Sequence, residues 1–411
     1  MMRCGLLGRT LSHSLSPQIH RFFGDYSYEL FSTEPEALEQ FLRTGAFDAI
    51  NVTIPYKKDV IPYCRELSDA AKKIGSVNTL RRRADGTLFG DNTDYYGFRW
   101  MLESRGFAVA GKKCLVLGSG GASLAVCTVL RDMQAREVVV ISRSGENNYS
   151  NISLHYDADA IVNTTPVGMY PHNGESPLGL EGFSHLNWVV DIIYNPVKTA
   201  FLLDAESLGI PCENGLPMLV AQAKRASEVF TGGILEDALI EEVTDHILSG
   251  MKNIVLIGMP GSGKSTVAKL LADRLNRPIT DTDYLVEEKA GISIPDLIAQ
   301  KGENFFRDLE TVAVKEAGMQ TGWIIATGGG AILREENRRA LRQNGTVIFL
   351  DRPMEQLDVK GRPLSDGGRA LERLSRERMP IYRSMADHSV AVSEDPEQTL
   401  ERILAFLQNK Q

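Results

Sequence analysis

Residues 258–266 form a glycine-rich segment with the spacing of a phosphate-binding loop. They read GMPGSGKST, which satisfies G-x-x-x-x-G-K-[ST], and they lie between a strand-like run, NIVLI, and a helix-like run, TVAKLLADRL. In such a loop, backbone N–H groups cradle the β-phosphate, the lysine reaches the β- and γ-phosphates, and the next hydroxyl binds Mg²⁺. The sequence therefore predicts a nucleoside triphosphate site formed by six consecutive residues, namely Gly261, Ser262, Gly263, Lys264, Ser265 and Thr266.

Two aspartates and a glycine run in the same half are suited to a phosphoryl acceptor. Asp281 and Asp283 follow a short apolar segment. Asp283 can orient or deprotonate a hydroxyl, and Asp281 can support Mg²⁺ through water. Residues 328–330 are three glycines after a strand-like run, WIIAT, as expected where backbone approaches a ligand closely.

Three arginines indicate that the acceptor is an anion. Arg307 follows a Phe-Phe pair, and Arg378 precedes the run MPIYR. Arg362 lies in GRPLSDGGR, a polar, glycine-containing segment typical of a mobile lid. Guanidinium groups pair well with carboxylates and phosphates. The alternative for each arginine taken alone is an ordinary surface charge.

A second glycine-rich turn lies about 140 residues earlier. Residues 118–123, GSGGAS, join a strand-like run, KKCLVLG, to a helix-like run, LAVCTVL. This context fits the dinucleotide-binding fingerprint, with Ser123 in place of the third glycine. Gly118 permits the tight turn, Gly120 lets the backbone approach the pyrophosphate, and the helix N-terminus faces the phosphates.

The end of the next strand indicates which dinucleotide is bound. A site that prefers NAD usually has a carboxylate there to hold the ribose hydroxyls. Here the chain reads Ile141, Ser142, Arg143, without a carboxylate. Arg143 and Ser142 can bind a 2′-phosphate, which favours NADP. The alternative is a solvated arginine.

Other polar residues of the first hundred suit a small carboxylate substrate with a carbonyl. Ser14 and Ser16 precede Pro17 at a helix start, where two hydroxyls suit a carboxylate or simply cap the helix. Lys57 follows a strand, and Asp94 lies on a later turn. A lysine beside a carboxylate can pass a proton to a carbonyl oxygen during hydride transfer.

The elements that must position these residues follow an α/β pattern. Strand-like and helix-like runs alternate along 411 residues, a length that suggests two or three domains. The formal net charge is −8, which makes nucleic acid an unexpected partner. No apolar run is long enough for a membrane span and no secretory signal is visible. Five cysteines without CxxC spacing indicate reduced thiols in a cytoplasm.

A set of motifs in the first half resembles shikimate dehydrogenase. HSLSP, NVTIPYKK, GSVNTL, GDNTDYYGF, GSGGA, NTTPVGM, DIIYNP and NGLPMLVAQA occur in this order. The resemblance implies that Ser14 and Ser16 hold the substrate carboxylate and that Lys57 and Asp94 are the catalytic pair. It implies substrate hydroxyl and ring contacts from Thr53, Asn78, Tyr194 and Gln222, with Asp94 also at the substrate.

The same resemblance implies an NADP site formed by a larger set of residues. These are Asp69 near the nicotinamide end, Gly118, Ser119, Gly120, Gly121, Ala122, Ser142, Arg143, Ile192 and Gly215. The segment between Ser144 and Ala160 is shorter than is usual in the family. One β-α element of the nucleotide domain is therefore expected to be missing or trimmed.

The second half resembles shikimate kinase through GMPGSGKST, DTDYLVE, GENFFRDLE, ATGGGAI, GRPLS and ERMPIYR. The resemblance implies that Asp283, Arg307, Gly329, Gly330 and Arg378 bind shikimate, with both arginines on its carboxylate. Asp283 would also take the proton of the 3-hydroxyl, and Arg362 would close over ATP. Ser265 and Asp281 would hold Mg²⁺. The lid is shorter than is common in the family.

Together these features predict one chain with two consecutive enzymes. The first reduces 3-dehydroshikimate to shikimate with NADPH, and the second phosphorylates shikimate with Mg·ATP. The expected domains are a substrate α/β domain (1–97, with the helix 216–231 returning to it), a Rossmann-like NADP domain (98–215), a linker (232–251) that contains a short acidic amphipathic helix, and a P-loop kinase domain with a parallel sheet (252–411). The sequence does not indicate an oligomeric state.

Two alternatives remain from the sequence. One is a quinate-type dehydrogenase that uses NAD, joined to another small-molecule kinase. The other is a regulatory protein that binds ligands without catalysis. Arg143 with the Ser14 and Ser16 pair argues against the first, and retention of Lys57 and Lys264 argues against the second.

Overall fold

The structure is a computed structural model that describes residues 1–11, 14–357 and 368–408. Its strands are, in chain order, β1 Arg3–Gly8, β2 Ser27–Ser32, β3 Ala49–Val52, β4 Cys64–Leu67, β5 Thr79–Arg82, β6 Leu88–Asp91, β7 Lys113–Leu117, β8 Glu137–Ile141, β9 Ala160–Asn163, β10 Trp188–Asp191, β11 Cys212–Asn214, β12 Asn253–Ile257, β13 Ile279–Asp281, β14 Ile324–Ala326, β15 Gly345–Asp351 and β16 His388–Ala391.

The helices alternate with these strands, as the α/β pattern predicts. They are α1 Ser16–His20, α2 Leu38–Thr44, α3 Asp69–Ile74, α4 Thr93–Ser104, α5 Gly121–Asp132, α6 Ala200–Ser207, α7 Leu216–Thr231, α8 Ala238–Met251, α9 Lys264–Leu275, α10 Thr282–Ala290, α11 Ile294–Lys301, α12 Glu303–Gly318, α13 Glu335–Asn344, α14 Gly368–Met385 and α15 Pro396–Gln408.

The first sheet has the strand order β2-β1-β3-β5-β6-β4. It is mixed: β1 pairs in parallel with β2 and β3, whereas β5 is antiparallel to β3 and β6. Helix α7 packs against β3 and β5 of this sheet as well as against α4. The antiparallel β5–β6 pair brings residue 78, before β5, beside residue 92, after β6, so polar residues from two separate motifs become neighbours.

The second sheet is entirely parallel, with the order β11-β10-β9-β7-β8. All five residues of the interior strand β7 are buried, as expected where helices cover both faces of a parallel sheet. Between β8 and β9 the chain forms one short 3-10 turn, Ile152–His155, and this described stretch holds no further strand or α-helix. The trimmed β-α element expected from the short segment 144–160 is therefore what the structure shows.

The third sheet is also parallel, with the order β13-β14-β12-β15-β16. Strand β12, which leads into the GMPGSGKST loop, lies at its centre, and all five of its residues are buried. The carboxyl ends of β12, β13, β14 and β15 meet at one edge, where ligands of open α/β sheets bind. The predicted α/β class with a P-loop domain is confirmed.

The chain divides into two compact units. The first comprises residues 1–167, 176–194 and 204–247, and the second comprises 168–175, 195–203 and 248–411. The segment 232–251, predicted to be a linker, contains α8. Its inward face is buried at Ile240, Val243 and Ile247, and Arg105 Nη1 donates to Glu241 at 2.6 Å. An amphipathic acidic helix was visible in the sequence, but its packing partners, which decide its role, come from distant segments.

The second unit begins in sequence well before residue 252, because segment 195–203 contributes hydrogen bonds to its interior. Asn344, at the end of α13, is 1% exposed. Its Oδ1 accepts from the Val197 N–H at 3.0 Å, and its Nδ2 donates to the Gln320 carbonyl at 3.2 Å. Segment 195–203, which the sequence analysis assigns to the NADP domain, therefore covers the polar end of α13.

We expect Asn344→Ala to destabilise the second unit. The substitution leaves the buried Val197 N–H without its acceptor, which costs about 1–3 kcal/mol of unfolding free energy. Thermal inactivation of the C-terminal activity should shift down by roughly 2–10 °C. The exposed Gln356→Ala is the matched control. An unchanged midpoint for Asn344→Ala would show that segment 195–203 does not support this unit.

All five cysteines are free thiols in the structure, three of them buried. Within the ranges that the structure describes, no helix combines the length and apolar character needed to cross a bilayer.

Candidate active sites

The first candidate site is a chain of hydrogen-bonded polar side chains in the first unit. Lys57 Nζ lies 2.6 Å from Asp94 Oδ2, and both side chains are mostly buried. Asn78 Nδ2 donates to the other carboxylate oxygen, Asp94 Oδ1, at 2.9 Å. Thr93 connects Asn78 to Gln222, since its N–H donates to Asn78 Oδ1 at 2.7 Å and its hydroxyl donates to Gln222 Oε1 at 3.2 Å.

Local structure explains why these residues meet. Asp94 lies in the first turn of α4, directly after β6, and Asn78 directly precedes the antiparallel neighbour β5. Lys57 is held by its backbone, because its carbonyl accepts from the Val77 N–H at 2.8 Å. The lysine and the carboxylate therefore form a preorganised, partly desolvated pair that can move a proton at a substrate oxygen.

The remaining predicted substrate residues are placed with less mutual contact. Ser14 Oγ accepts from the Ser16 N–H at 3.2 Å, so the two serines form one turn at the start of α1. Thr53 directly follows β3 and is half-buried. The Tyr194 side chain is largely removed from solvent, and this burial raises the pKa of its hydroxyl. Asp69 is the first residue of α3, and its side chain is fully exposed. Its Oδ1 atom lies 3.5 Å from Lys72 Nζ. Its predicted place near the nicotinamide stays a prediction.

The second candidate site is a cleft at the carboxyl edge of the parallel second sheet. Its volume is about 560 Å³. Predicted residues line it after two neighbouring strands: Gly118, Ser119 and Gly120 after β7, then Ser142 and Arg143 after β8. The loop after β9 adds Thr164 and Thr165. A dinucleotide is bound at this edge in doubly wound sheets.

The glycine turn leaves room for a phosphate group. Gly118 has φ 99°, and a Cβ there would meet the Thr165 methyl at 2.9 Å, so only glycine fits. By contrast, Cβ positions at Gly120 and Gly121 meet nothing within 4 Å. Open space above the N-terminus of α5 is what a pyrophosphate requires. Ser123, in place of the third glycine, is buried and donates to the Gly120 carbonyl at 2.6 Å, which fixes the turn.

The rim of the cleft carries the groups that can distinguish dinucleotides. The Arg143 side chain is exposed, and it is close enough to Tyr149 to lower that hydroxyl's pKa, although burial has the larger effect and the net shift is upward. Gly215 and Ile192 do not line this cleft, but a Cβ on Gly215 would lie 1.9 Å from the Ile192 carbonyl oxygen. These two predicted cofactor residues therefore pack backbone to backbone, and glycine is required at 215.

The third candidate site is a cavity of about 420 Å³ in the second unit. The P-loop forms one wall, from Pro260 to Thr266. Lys264 is buried and donates from Nζ to the carbonyls of Gly258 and Met259, both at 2.9 Å. A lysine folded back onto its own loop keeps the phosphate position free and needs only to swing to reach an incoming phosphate.

The residues after β13 complete a site for a divalent cation. Ser265 Oγ donates to Asp281 Oδ2 at 2.7 Å, and the Asp283 N–H donates to Asp281 Oδ1 at 3.0 Å. In the described residues no cluster of three or more His, Cys, Asp or Glu side chains could hold a metal alone. A hydroxyl and one carboxylate beside a phosphate-binding loop fit Mg²⁺, which takes few protein ligands and completes its shell with phosphate and water oxygens.

Arginines and a buried carboxylate also line this cavity. Arg307 Nη1 donates to Glu310 Oε2 at 2.8 Å, and the Glu310 side chain is 1% exposed. Burial raises the pKa of the Glu310 carboxyl, while Arg307 and Arg378 act in the opposite direction. Arg378 is also buried, and its Nε finds no acceptor in the described part of the chain. Two guanidinium groups, one fixed by Glu310, thus face the cavity.

The glycine run after β14 brings backbone against these side chains. A Cβ on Gly328 would lie 2.3 Å from Asp283 Oδ1, and one on Gly330 would lie 2.2 Å from Arg307 Nη1. The Gly329 carbonyl accepts from the Tyr382 hydroxyl of α14. The structure thus brings Asp283, Arg307 and the glycine run to one place, whereas Arg362 lies outside the described residues.

Sequence reasoning missed several cavity residues. Glu310 and Arg352 line the third site, and Tyr149 and Thr164 line the dinucleotide cleft. Glu310 had a usable signal, because it lies one helical turn after Arg307 in GENFFRDLE and can pair with it. Arg352, Tyr149 and Thr164 had none, because their proximity to these sites depends on the sheet order.

Comparison with known proteins divides the chain in the same way. Residues 6–80 match the family model for the shikimate dehydrogenase substrate binding domain, and residues 260–408 match the one for shikimate kinase. A shikimate dehydrogenase (NADP(+)) from Clostridium beijerinckii is 38% identical over 257 residues, 58% of this chain and 94% of that protein. One from Caldicellulosiruptor bescii is 39% identical over 258 residues, 56% of this chain and 89% of that protein.

Solved structures agree for the first 60% of the chain. A shikimate 5-dehydrogenase from Thermus thermophilus, in complex with NADP(H) and shikimate, has a TM-score of 0.55 and 34% sequence identity. The match spans 60% of this chain and 99% of that one. A chorismate mutase/shikimate 5-dehydrogenase fusion from Clostridium acetobutylicum has a TM-score of 0.57 and 36% identity. The match spans 60% of this chain and 97% of that one. A quinate dehydrogenase from Corynebacterium glutamicum, in complex with NAD, also has a TM-score of 0.55 but only 26% identity. The match spans 60% of this chain and 99% of that one.

Proposed function

The chain belongs to the shikimate dehydrogenase family and carries a shikimate kinase domain at residues 260–408, and from this premise we propose how its residues perform the two reactions. The protein is a bifunctional enzyme that reduces 3-dehydroshikimate with NADPH and phosphorylates shikimate with ATP. The observation that carries the first assignment of residues is the 2.6 Å contact between Lys57 and Asp94. The kinase assignment rests on the single cavity shared by the P-loop, Asp283 and the arginines.

In the reduction, Lys57 is the proton donor. When bound, NADPH supplies a hydride to the carbonyl carbon of 3-dehydroshikimate. The Lys57 ammonium group gives a proton to the carbonyl oxygen as negative charge develops on it, so that a hydroxyl forms. Asp94 holds the ammonium group in position, and Asn78 holds the second carboxylate oxygen in place. Ser14 and Ser16 bind the substrate carboxylate, and Thr53, Tyr194 and Gln222 contact its ring and hydroxyls.

The cofactor position follows from the cleft. Gly118 to Ala122 hold the pyrophosphate through backbone N–H groups at the start of α5. Ser142 and Arg143 would bind the 2′-phosphate, Ile192 and Gly215 would line the NADP site, and Asp69 would lie near its nicotinamide end.

In the phosphorylation, Asp283 accepts the proton of the 3-hydroxyl as its oxygen attacks the γ-phosphorus of ATP. Arg307 and Arg378 hold the shikimate carboxylate, with Gly329 and Gly330 against the ring. Lys264 neutralises charge that develops on the transferred phosphoryl group. The Ser265 hydroxyl and the Asp281 carboxylate would hold Mg²⁺, and the predicted role of Arg362 at ATP falls outside the described residues.

One coupled assay tests both functions. Purified protein is given 3-dehydroshikimate, NADPH and Mg·ATP, and the products are identified by mass spectrometry. We expect shikimate and then shikimate 3-phosphate. A requirement for NADH in place of NADPH, with faster reduction of 3-dehydroquinate than of 3-dehydroshikimate in a parallel assay, would support the quinate-type alternative, and an absence of both products would support a regulatory protein.

We expect Arg143→Asp to change cofactor choice. The substitution removes the cationic partner of the 2′-phosphate and adds a repelling carboxylate. The loss of one charge-assisted hydrogen bond raises the KM for NADPH roughly 10- to 150-fold, with a much smaller effect on NADH. Initial rates with each cofactor check this, and Arg131→Asp, an exposed arginine of α5, is the matched control. Equal losses with both cofactors would contradict the assignment of Arg143.

We also propose the catalytic domain limits 1–97, 98–215 and 252–411, with 216–231 returning to the substrate domain, and a cytoplasmic location. Five free cysteines support a reducing compartment. A pathway of small soluble metabolites supports it as well.

A further inference from the structure

Arg352 is a cation in the kinase cavity that the roles above leave without a function. It directly follows β15 and lines the same cavity as the P-loop. The end of β15 abuts the start of the loop, since a Cβ on Gly258 would lie 2.8 Å from the Leu350 carbonyl oxygen. Arg352 therefore projects from a rigid strand end beside the phosphate-binding backbone.

The Arg352 guanidinium group is close to the loop residue that precedes the catalytic lysine. Its Nη1 atom lies 3.8 Å from the Cβ position of Gly263. Its Nε atom is buried without a hydrogen-bond acceptor in residues 1–11, 14–357 and 368–408. Burying a guanidinium donor without an acceptor is costly, so a position of this kind indicates an anion that arrives with a ligand.

Two anions enter this cavity, and the geometry assigns Arg352 to one of them. The shikimate carboxylate has Arg307 and Arg378 on the wall next to Gly330, where a Cβ would lie 2.2 Å from Arg307 Nη1. Arg352 is beside Gly263, on the P-loop wall. The charge nearest to it is therefore the phosphate chain of the nucleotide.

We propose that Arg352 binds the phosphate chain of ATP, as a second cation beside Lys264. This proposal deepens the kinase function proposed above and rests on it. Because the arginine is anchored at a strand end, it is in place before the nucleotide arrives. Its planar fork can donate two parallel hydrogen bonds to phosphate oxygens, which a lysine cannot do.

The test measures nucleotide binding to the full chain without shikimate. We expect Arg352→Gln to weaken Mg·ATP and Mg·ADP binding by roughly 10- to 100-fold in calorimetry, and Arg352→Lys to lose less because it keeps the charge. The KM for shikimate should stay within about threefold, and the dehydrogenase rate should not change. Arg383→Ala, an exposed arginine of α14, is the control.

A crossed variant separates this role from a structural one. Arg378→Ala should raise the KM for shikimate and spare ATP binding, the reverse pattern. Unchanged ATP affinity in Arg352→Gln would overturn the proposal, and so would equal losses of ATP and shikimate binding with a lowered unfolding temperature. Because nucleotide binding is measured directly, the result stands even if the acceptor proved not to be shikimate.

Discussion

Lys57→Ala is expected to lower kcat for the reduction of 3-dehydroshikimate by roughly 10²- to 10⁴-fold, the range for loss of a positioned proton donor. The substitution leaves the carbonyl oxygen without a proton as hydride arrives, and it leaves Asp94 as an uncompensated, mostly buried carboxylate. Phosphorylation of added shikimate should be unchanged, because the P-loop cavity belongs to the other compact unit. NADPH oxidation measured with and without added shikimate and ATP separates the two activities.

The neighbouring lysine provides a matched control for this experiment. Lys58 is exposed, so Lys58→Ala removes the same charge one residue away without touching the pair. Asp94→Asn gives an independent check: it keeps the shape of the side chain and removes the negative charge that holds the Lys57 ammonium group in position. If Lys57→Ala kept near-native kcat while Asp94→Asn lost it, the proton donor would have to be sought elsewhere in the network of Asn78 and Gln222.

The contrast between Lys264 and Lys57 shows what the sequence could and could not predict. The P-loop is formed by consecutive residues, so its spacing alone placed Lys264 and Ser265 beside a phosphate. Lys57 and Asp94 are 37 residues apart in sequence, and their contact depends on the antiparallel β5–β6 pair. The residues alone suggested a lysine–carboxylate pair, and only the family resemblance joined these two.

The sequence could not predict which residues from neighbouring strands line the same site. Arg352 follows β15 and meets the P-loop because β15 pairs directly with β12, a neighbour relation that no local pattern encodes. The packing of α8, which lies in the predicted linker, also depends on residues distant in sequence. Its apolar stripe was visible, but burial of Ile240 and Ile247 depends on partners remote in sequence. Local chemistry predicted the loops and strands, and long-range packing decided which side chains share a cavity.

Lys264→Met is expected to abolish the kinase reaction while sparing the dehydrogenase. Removing one preorganised cation from a transferred phosphoryl group costs about 10²- to 10³-fold in kcat, and the weakened hold on the β- and γ-phosphates adds to the loss in kcat/KM. Methionine keeps the apolar length of the side chain in its buried position. The exposed Lys269→Met, on the same helix, is the matched control. Formation of shikimate 3-phosphate from added shikimate, followed by mass spectrometry, gives the kinase rate.

The strongest form of this test uses Lys264→Met and Lys57→Ala together. Mixed in one vessel with 3-dehydroshikimate, NADPH and Mg·ATP, the two proteins should restore the full sequence, because shikimate made by the first can diffuse to the second. Shikimate is small and stable in water, so nothing in its chemistry requires protected transfer. A lag before shikimate 3-phosphate appears, which shortens as the Lys57→Ala protein is increased, is the expected sign of free diffusion. Loss of both activities in either well-folded variant would instead show that the two sites are energetically coupled.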